Sequence, residues 1–167
     1  MRYSFRVRTK SVRETISIGR ALGRRLSPGD VICLSGELGA GKTCLVKGLA
    51  EGLGIRGRVV TSPTFIIIRE YKGRIPLYHI DLYRIGSIDD MRDLGMEEVV
   101  YGSGVTAIEW AERIRDRLPD ERIDITLKWS DIKTRNVEMK AFGQHHRRVL
   151  KEVLEDLRRL AGCSRRL

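Results

Sequence analysis

A glycine-rich segment is the part of this sequence whose residue types and spacing point most directly to chemistry. Residues 36–43 read GELGAGKT, which matches the P-loop pattern G-x-x-x-x-G-K-[ST] in full. In such a loop, glycines allow backbone N–H groups to face phosphate oxygens, and the lysine ammonium reaches the β- and γ-phosphates. The final threonine hydroxyl is a Mg²⁺ ligand at the start of a helix. The segment therefore predicts a site for a nucleoside triphosphate and Mg²⁺.

The residues on either side of this loop favour the same interpretation. An apolar run at Val31 to Ser35 predicts a buried strand, and Leu45, Leu49 and Leu53 predict a helix that ends at Gly54. A strand before the loop and a helix after it form the context that the motif requires. The nucleotide-binding residues predicted in the loop are Gly36, Glu37, Leu38, Gly39, Ala40, Gly41, Lys42 and Thr43.

Two carboxylates at the ends of predicted strands are candidates to complete the site. A P-loop enzyme needs an acid near the metal and a group that orients water. Glu109 ends the apolar run 105–109 and is predicted to be a Mg²⁺ ligand, together with Thr43. Asp81 ends another strand and is predicted either to position the water or to support the metal site from behind its ligands, so both acids are assigned as catalytic. His79 shares a strand face with Asp81 and is interpreted mainly as structural, and Trp110 could cover the nucleotide or a partner surface.

A short polar segment follows the helix of the P-loop. Ser62, Pro63 and Thr64 could form a switch that orders on the γ-phosphate and is released on hydrolysis. A plain turn is an equally good interpretation, because serine, proline and threonine favour turns in any protein. The sequence leaves both alternatives open.

The remaining patterns predict an α/β fold. Ser11 and Glu14 have the spacing of a capping box at the start of a helix that continues to about Leu26, with Val12, Ile18, Leu22 and Leu26 expected to point inward. Residues 65–71 and 75–80 predict a hairpin, a cap near Ser87 precedes a helix at 91–101, and alternation within 123–141 predicts an antiparallel pair. An amphipathic, basic helix occupies about 144–161. We expect a P-loop NTPase sandwich with a mixed central sheet flanked by helices, and a single domain over 1–167.

Composition narrows the classes of protein further. The chain has 167 residues and a formal net charge of +10. No apolar run is long enough for a membrane span, and the basic N-terminus has no signal-peptide core, so we expect a cytoplasmic protein without a membrane partner. The three cysteines form no metal-ligand pattern. The positive charge leaves direct contact with RNA open, since lysine and arginine neutralise phosphates.

Four of these stretches together resemble the bacterial TsaE (YjeE-type) family. They are GELGAGKT at 36–43, SPTF at 62–65, YHIDLYR at 78–84 and IEW at 108–110, in the family's order. The resemblance implies a Mg²⁺-dependent ATPase required for threonylcarbamoyladenosine (t6A) modification at adenosine 37 of tRNA. It also implies that the chain works with the proteins TsaD and TsaB, and that TsaD carries out the transfer to adenosine.

The resemblance also implies roles for individual residues. Lys42 and Thr43 would bind phosphate and Mg²⁺, and Glu109 would be the second acid at the metal. Ser11 lies where the family approaches the adenine, and Thr134 near a later turn that contacts the nucleotide. Asp81 and Trp110 would take part in catalysis or contact a partner, and Ser62 to Thr64 would form a switch-like loop.

Other functions are compatible with a P-loop. A small-molecule kinase is the main alternative, in which Arg113, Arg115 and Arg117 would act as a lid, although they also fit a solvated helix face. A basic RNA-binding protein with a structural ATP is another. A GTPase is disfavoured because the sequence has no Asn-Lys-x-Asp motif for guanine.

Overall fold

The described part of the chain folds around one mixed β-sheet. The computed structural model describes residues 3–55, 60–61, 68–84 and 95–163. Within these ranges seven strands form a sheet in the order β1-β7-β6-β2-β5-β4-β3. The strands are β1 (Tyr3–Thr9), β2 (Val31–Ser35), β3 (Ile68–Tyr71), β4 (Leu77–Asp81), β5 (Val105–Glu109), β6 (Arg122–Trp129) and β7 (Arg135–Phe142). This sheet and its flanking helices confirm the predicted α/β fold class.

The helices lie on both sides of the sheet. They are α1 (Val12–Gly23), α2 (Lys42–Gly52), α3 (Met96–Val100) and α4 (Gln144–Cys163), with a 3₁₀ helix at Ala111–Arg117. No helix among the described residues is both long and apolar enough to cross a membrane.

Strand β2 occupies the middle of the sheet and is buried on both faces. It pairs in parallel with β5 on one side and β6 on the other. Ile32 and Leu34 belong to the core under α1, α2 and α4, whereas Val31 and Cys33 face a second core with α3 and the 3₁₀ helix. A strand covered on both faces needs a continuous apolar sequence, which explains the run VICLS. The sheet therefore holds the P-loop at the end of its most buried strand.

Helices α1 and α2 cross at very close range through small residues. A side-chain methyl built at Gly19 would collide with the backbone oxygen of Leu45, and one built at Gly48 would collide with that of Ile16. Only glycine at both positions allows the two backbones to approach this closely. The crossing fixes the beginning of α1 beside the beginning of α2, the helix of the P-loop.

Several elements differ from the sequence predictions. Strand β1 was not predicted, although Tyr3, Phe5 and Val7 alternate with polar residues and pack against the core. Helix α1 ends at Gly23 rather than Leu26, and Val12, expected to point inward, is 61% exposed. The hairpin and the antiparallel pair are confirmed as β3–β4 and β6–β7. The cap predicted near Ser87 lies outside the described residues.

Candidate nucleotide-binding site

The parallel strands bring the predicted acids to the edge of the sheet where the P-loop begins. Leu34 of β2 is the register partner of Glu109 in β5, and Glu109 is in turn the partner of Asp81 in β4. The three positions lie side by side at the carboxyl ends of their strands. Because ligands of open α/β sheets bind at this edge, the topology gives both carboxylates a position suited to chemistry.

The P-loop has the backbone conformation of a phosphate cradle. Gly36, Gly39 and Gly41 have φ angles of 144°, 76° and 106°, a region that residues with a side chain rarely adopt. A methyl group at Gly36 would also collide with the carbonyl oxygen of Leu127 in β6. The turn ends where α2 begins at Lys42, so the helix N-terminus faces the interior of the loop.

Lys42 folds back over the loop and is 4% exposed. Its Nζ donates to the carbonyl oxygens of Gly36, at 2.6 Å, and Glu37, at 3.0 Å. The same ammonium lies 3.9 Å from the centre of the Trp110 ring. Burial lowers the pKa of Lys42, and the neighbouring carboxylates, with Glu109 the strongest, partly oppose that shift. The Lys42 ammonium is thus held by neutral carbonyl groups. Phosphate oxygens carry charge and would bind the ammonium more strongly than these carbonyls do.

Glu109 joins the P-loop helix to strand β4. Its Oε1 accepts hydrogen bonds from the Thr43 hydroxyl at 2.8 Å and from Nε2 of His79 at 2.8 Å. Glu109 is 3% and His79 0% exposed, and Nδ1 of His79 has no hydrogen-bond partner among the described residues. A carboxylate accepts only, so Nε2 must carry the proton in this contact. The two predicted metal ligands are therefore already adjacent, and a buried histidine orients the acid.

Trp110 is held in a strained conformation next to this acid. Its φ is 61°, which is rare for a residue with a large side chain and costs about 1–2 kcal/mol. The ring packs against Tyr83, with centroids 5.2 Å apart, and Asp81 accepts a hydrogen bond from the Tyr83 N–H at 2.9 Å. The guanidinium of Arg113 lies 5.8 Å from the same ring. Backbone strain of this kind concentrates at functional sites, which favours a role for Trp110 beyond packing.

A cavity of about 310 Å³ opens on the outer side of the P-loop. It lies between the beginning of α1, with Ser11 and Val12, the glycines of the loop, and the β6–β7 turn, with Ile132 and Arg135. Ser11 caps α1 by accepting from the Glu14 N–H at 3.2 Å, which confirms the predicted cap. Exposed apolar side chains beside a polar helix start suit the planar, partly polar surface of a nucleobase.

Thr134 supports that cavity from within the turn. It is 7% exposed, and its N–H donates to Oδ1 of Asp131 at 2.9 Å, while its carbonyl accepts from Ser130 at 3.0 Å. Its neighbours Lys133 and Arg135 line the cavity, whereas Thr134 itself does not. The predicted nucleotide contact at Thr134 thus lies one residue from the cavity lining.

The sequence predictions for this site fall into three groups. The structure brings together the P-loop, Glu109, Asp81 and Trp110. Ser62, Pro63 and Thr64 lie outside the described residues. His79 was interpreted mainly as structural, yet it contacts Glu109 directly; its position two residues before Asp81 on a strand was the available signal.

The arginines of the alternative lid all lie on or at the end of the 3₁₀ helix. Arg113, Arg115 and Arg117 are exposed. This agrees with the solvated face that the charge pattern also allowed.

Comparison with known proteins identifies the relatives of this chain. The model of the family described as "Threonylcarbamoyl adenosine biosynthesis protein TsaE" matches residues 9–137. The protein named tRNA threonylcarbamoyladenosine biosynthesis protein TsaE in Treponema pallidum is 48% identical over 120 residues, covering 72% of this chain and 88% of that protein. The protein of the same name in Bacillus subtilis is 44% identical over 147 residues, covering 87% and 91%.

A solved structure has the same fold. The crystal structure of Bacillus subtilis YdiB matches with a TM-score of 0.81 and 38% identity, covering 93% of this chain and 97% of that one. The matched family region contains the P-loop, Asp81, Glu109 and Trp110, and excludes helix α4. By the extent of the family match and by the identity to its relatives, the chain belongs to the TsaE family.

Proposed function

We propose that this chain is the Mg²⁺-dependent ATPase of tRNA t6A biosynthesis. The pathway is inferred from the names of the relatives, and the ATPase chemistry from the geometry of the site. The observation that carries the proposal is the hydrogen bond between Thr43 and Glu109, 2.8 Å long, in which Glu109 also acts electrostatically on the Lys42 ammonium. A hydroxyl and a carboxylate are hard oxygen ligands of the kind Mg²⁺ binds together with nucleotide phosphates.

The P-loop residues would bind the triphosphate. Lys42 exchanges the carbonyls of Gly36 and Glu37 for phosphate oxygens, and this exchange replaces neutral acceptors by charged ones. The positive φ angles of Gly36, Gly39 and Gly41 give the loop a turn in which backbone N–H groups would face the phosphates. The loop keeps this conformation only with glycine at position 36, because a side chain there would collide with the Leu127 carbonyl of β6.

The acids on β4 and β5 would serve the metal and the water. Mg²⁺, when bound, neutralises charge on the β- and γ-phosphates. Thr43 and Glu109 provide its protein ligands, and His79 keeps the Glu109 carboxylate turned toward Thr43. Asp81, 6% exposed and next to Glu109 in register, positions the attacking water. These groups would bind and orient the nucleotide, the metal ion and the water. In phosphoryl transfer, the protein contributes mainly such positioning and electrostatic stabilisation.

The cavity of about 310 Å³ would receive the adenine. Ser11 and Val12 contact it from α1, and the turn that contains Thr134 closes it from the other side. The crossing of α1 and α2 through Gly19 and Gly48 holds this base site at a fixed distance from the phosphate site.

Turnover is coupled to partners in this proposal. The TsaD–TsaB pair binds the ATP-bound form of this chain. Residues 62–64 and Trp110 are the positions whose conformation would depend on the bound nucleotide. Trp110 directly follows Glu109 and its ring packs against Tyr83, so this ring surface adjoins the residue that would hold the metal. The cytoplasm is the expected compartment, residues 1–167 act as one domain, and the net charge of +10 suits a complex that handles tRNA.

ATP hydrolysis by the purified chain, measured with and without TsaD–TsaB, tests the proposal. We expect slow phosphate release by the chain alone, faster release with the pair, and loss of both in Lys42→Ala. Lys72→Ala, which changes an exposed lysine of the β3–β4 turn, is the matched control and retains the wild-type rate.

Two outcomes would contradict this function. Transfer of the γ-phosphate to a metabolite rather than to water would make the protein a small-molecule kinase. A rapid rate that the pair does not change would leave the ATPase without the proposed partners.

A further inference from the structure

A second buried polar cluster lies at the opposite end of β2 from the P-loop. Asp30 directly precedes β2, and His145 and His146 stand in the first turn of α4. Asp30 and His146 are each 4% exposed. Nothing in the proposed ATPase uses these residues, since they belong to the far edge of the sheet.

The three side chains converge on one point. Nε2 of His145 lies 3.1 Å, and Nε2 of His146 3.2 Å, from Oδ1 of Asp30. The three candidate ligand atoms lie within 4.8 Å of one another. In a tetrahedral zinc site with bonds of about 2.0–2.1 Å, neighbouring ligand atoms are separated by about 3.3 Å. The two distances to Asp30 are close to that separation.

The tautomer of His146 determines what its second nitrogen can do. Nδ1 lies 2.9 Å from the carbonyl oxygen of Phe142, and a carbonyl only accepts, so Nδ1 carries the proton. If the ring is neutral, Nε2 then carries no proton and presents a lone pair. That atom is buried and forms no hydrogen bond with the described residues, although Oδ1 of Asp30 is near. A buried lone pair facing a carboxylate needs a cation between them or a proton of its own.

We propose that Asp30, His145 and His146 form a binding site for a divalent transition-metal ion, with Zn²⁺ the best fit. Two imidazoles and one carboxylate are ligands that zinc accepts, and a water molecule completes four-fold coordination. The ion joins the beginning of α4 to the beginning of β2. It is distinct from Mg²⁺ at the P-loop, which prefers oxygen ligands alone.

The groups around the ligands are arranged as in protein metal sites. A metal-binding histidine usually donates its other N–H to a carbonyl, as His146 does to Phe142. The ligating carboxylate is itself hydrogen-bonded, because Oδ2 of Asp30 accepts from the Ser27 N–H at 2.7 Å. Nε2 of His145 also lies 3.3 Å from Oδ2 of Asp30, a hydrogen bond in which the imidazole donates, so a bound ion would take the place of that proton. The His145 side chain is 32% exposed, which gives an ion and its water access from solvent.

Charge at the cluster is compatible with a cation. Burial raises the pKa of Asp30, but contacts with His146, the Ser27 N–H and His145 outweigh it and hold that pKa below its ordinary value. Burial lowers the pKa of His146, but Asp30 and the Phe142 carbonyl outweigh that effect and raise it. A proton on Nε2 therefore competes with a metal ion for the position that faces Asp30.

Cobalt binding by the full chain, purified without a histidine tag, tests the site. Co²⁺ in tetrahedral nitrogen and oxygen ligation absorbs visible light, and Zn²⁺ should displace it. We expect one equivalent per chain, loss of the absorption in a His145→Gln/His146→Gln double variant, and at least about tenfold weaker binding in His145→Gln alone. Glu109→Gln and His79→Gln, which change the other polar cluster, should leave the titration unchanged.

Each contrary result would overturn the proposal. Absence of cobalt absorption and of any zinc effect on thermal unfolding in the wild type would reduce the cluster to an ion pair. Equal binding in the double variant, or loss of binding in Glu109→Gln, would place the metal elsewhere. His145→Gln changes a partly exposed side chain, so it decides the question even if Asp30→Asn or the double variant does not fold.

Discussion

The two ends of strand β2 carry polar clusters that are built in different ways. At the carboxyl end, the P-loop supplies most of the groups from eight consecutive residues, and Glu109 and His79 join them from neighbouring strands. At the amino end, Asp30 meets two histidines from a helix 115 positions away. Both clusters bury a carboxylate and a histidine in contact.

The two ends differ in which ring nitrogen of the histidine donates a hydrogen bond and which one does not. His79 gives its Nε2 proton to Glu109, and its buried Nδ1 has no hydrogen bond with the described residues. His146 gives its Nδ1 proton to a carbonyl, and Nε2 faces the acid. The first arrangement orients a carboxylate for another ligand, whereas the second presents a lone pair as a ligand itself. We therefore expect catalysis at one end and a metal-dependent gain in stability at the other.

The largest expected effect is on catalysis at the P-loop end. Glu109→Gln should lower ATP turnover by about 10²–10³-fold, because the amide is a poor metal ligand and cannot accept from both Thr43 and His79 in the same way. Phosphate release measures it. Glu155→Gln, an exposed carboxylate on α4, is the control and should match the wild type. A Glu109→Gln turnover within a factor of two of the wild type would show that Glu109 is not a metal ligand in catalysis.

The next effect is on stability at the other end. Zn²⁺ at about a hundredfold above its dissociation constant should stabilise the fold by about 2.7 kcal/mol. For a chain of this length that raises the midpoint of thermal unfolding by about 5–10 °C, measured by calorimetry after treatment with a chelator. Glu109→Gln should keep the shift and the double histidine variant should lose it, while ATP turnover stays the same with and without Zn²⁺. A zinc effect on turnover of similar size would show that the two ends are not independent.

A smaller effect separates the roles of the histidines. His79→Leu should reduce kcat for ATP by about tenfold with little change in KM, because one hydrogen bond to the buried Glu109 carboxylate is lost. His79→Gln, which can place an N–H near the position of Nε2, should recover part of the rate. The matched change His145→Gln should leave the kinetics untouched. Equal losses in His79→Leu and His79→Gln would argue that the side chain only fills space.

The smallest effect concerns the cap of α1 beside the base cavity. Ser11→Ala removes the acceptor for the Glu14 N–H and should cost about 1 kcal/mol of the free energy of unfolding, or about 2–4 °C. Ser17→Ala, within the same helix, is the control and should shift the midpoint less. A Ser11→Ala protein as stable as the control would mean that the cap contributes nothing to the folded state.

Much of the fold followed from local sequence. The run VICLS predicted a strand buried on both faces, because a strand that packs on two sides has no solvent-facing positions for polar residues. The glycines of residues 36–43 predicted the turn, since they alone tolerate its positive φ angles. Strand β1 also alternates, with Tyr3, Phe5 and Val7 packed against the core and polar or basic residues between them, but it was not predicted. Val12 was placed inward on periodicity and is exposed, because α1 begins at the open cavity.

The sequence by itself determined the P-loop and the identities of Asp81 and Glu109 as candidates, because their signals are contiguous or stand at strand ends. Only the tertiary structure decided which atoms meet. Thr43 and Glu109 are 66 positions apart, and the parallel order of β2, β5 and β4 brings them together at 2.8 Å. The pairing of Asp30 with His145 and His146 depends on where α4 lies against the sheet. Spacing along a chain sets local dihedral angles and periodicity, whereas contacts between distant residues follow from strand order and packing.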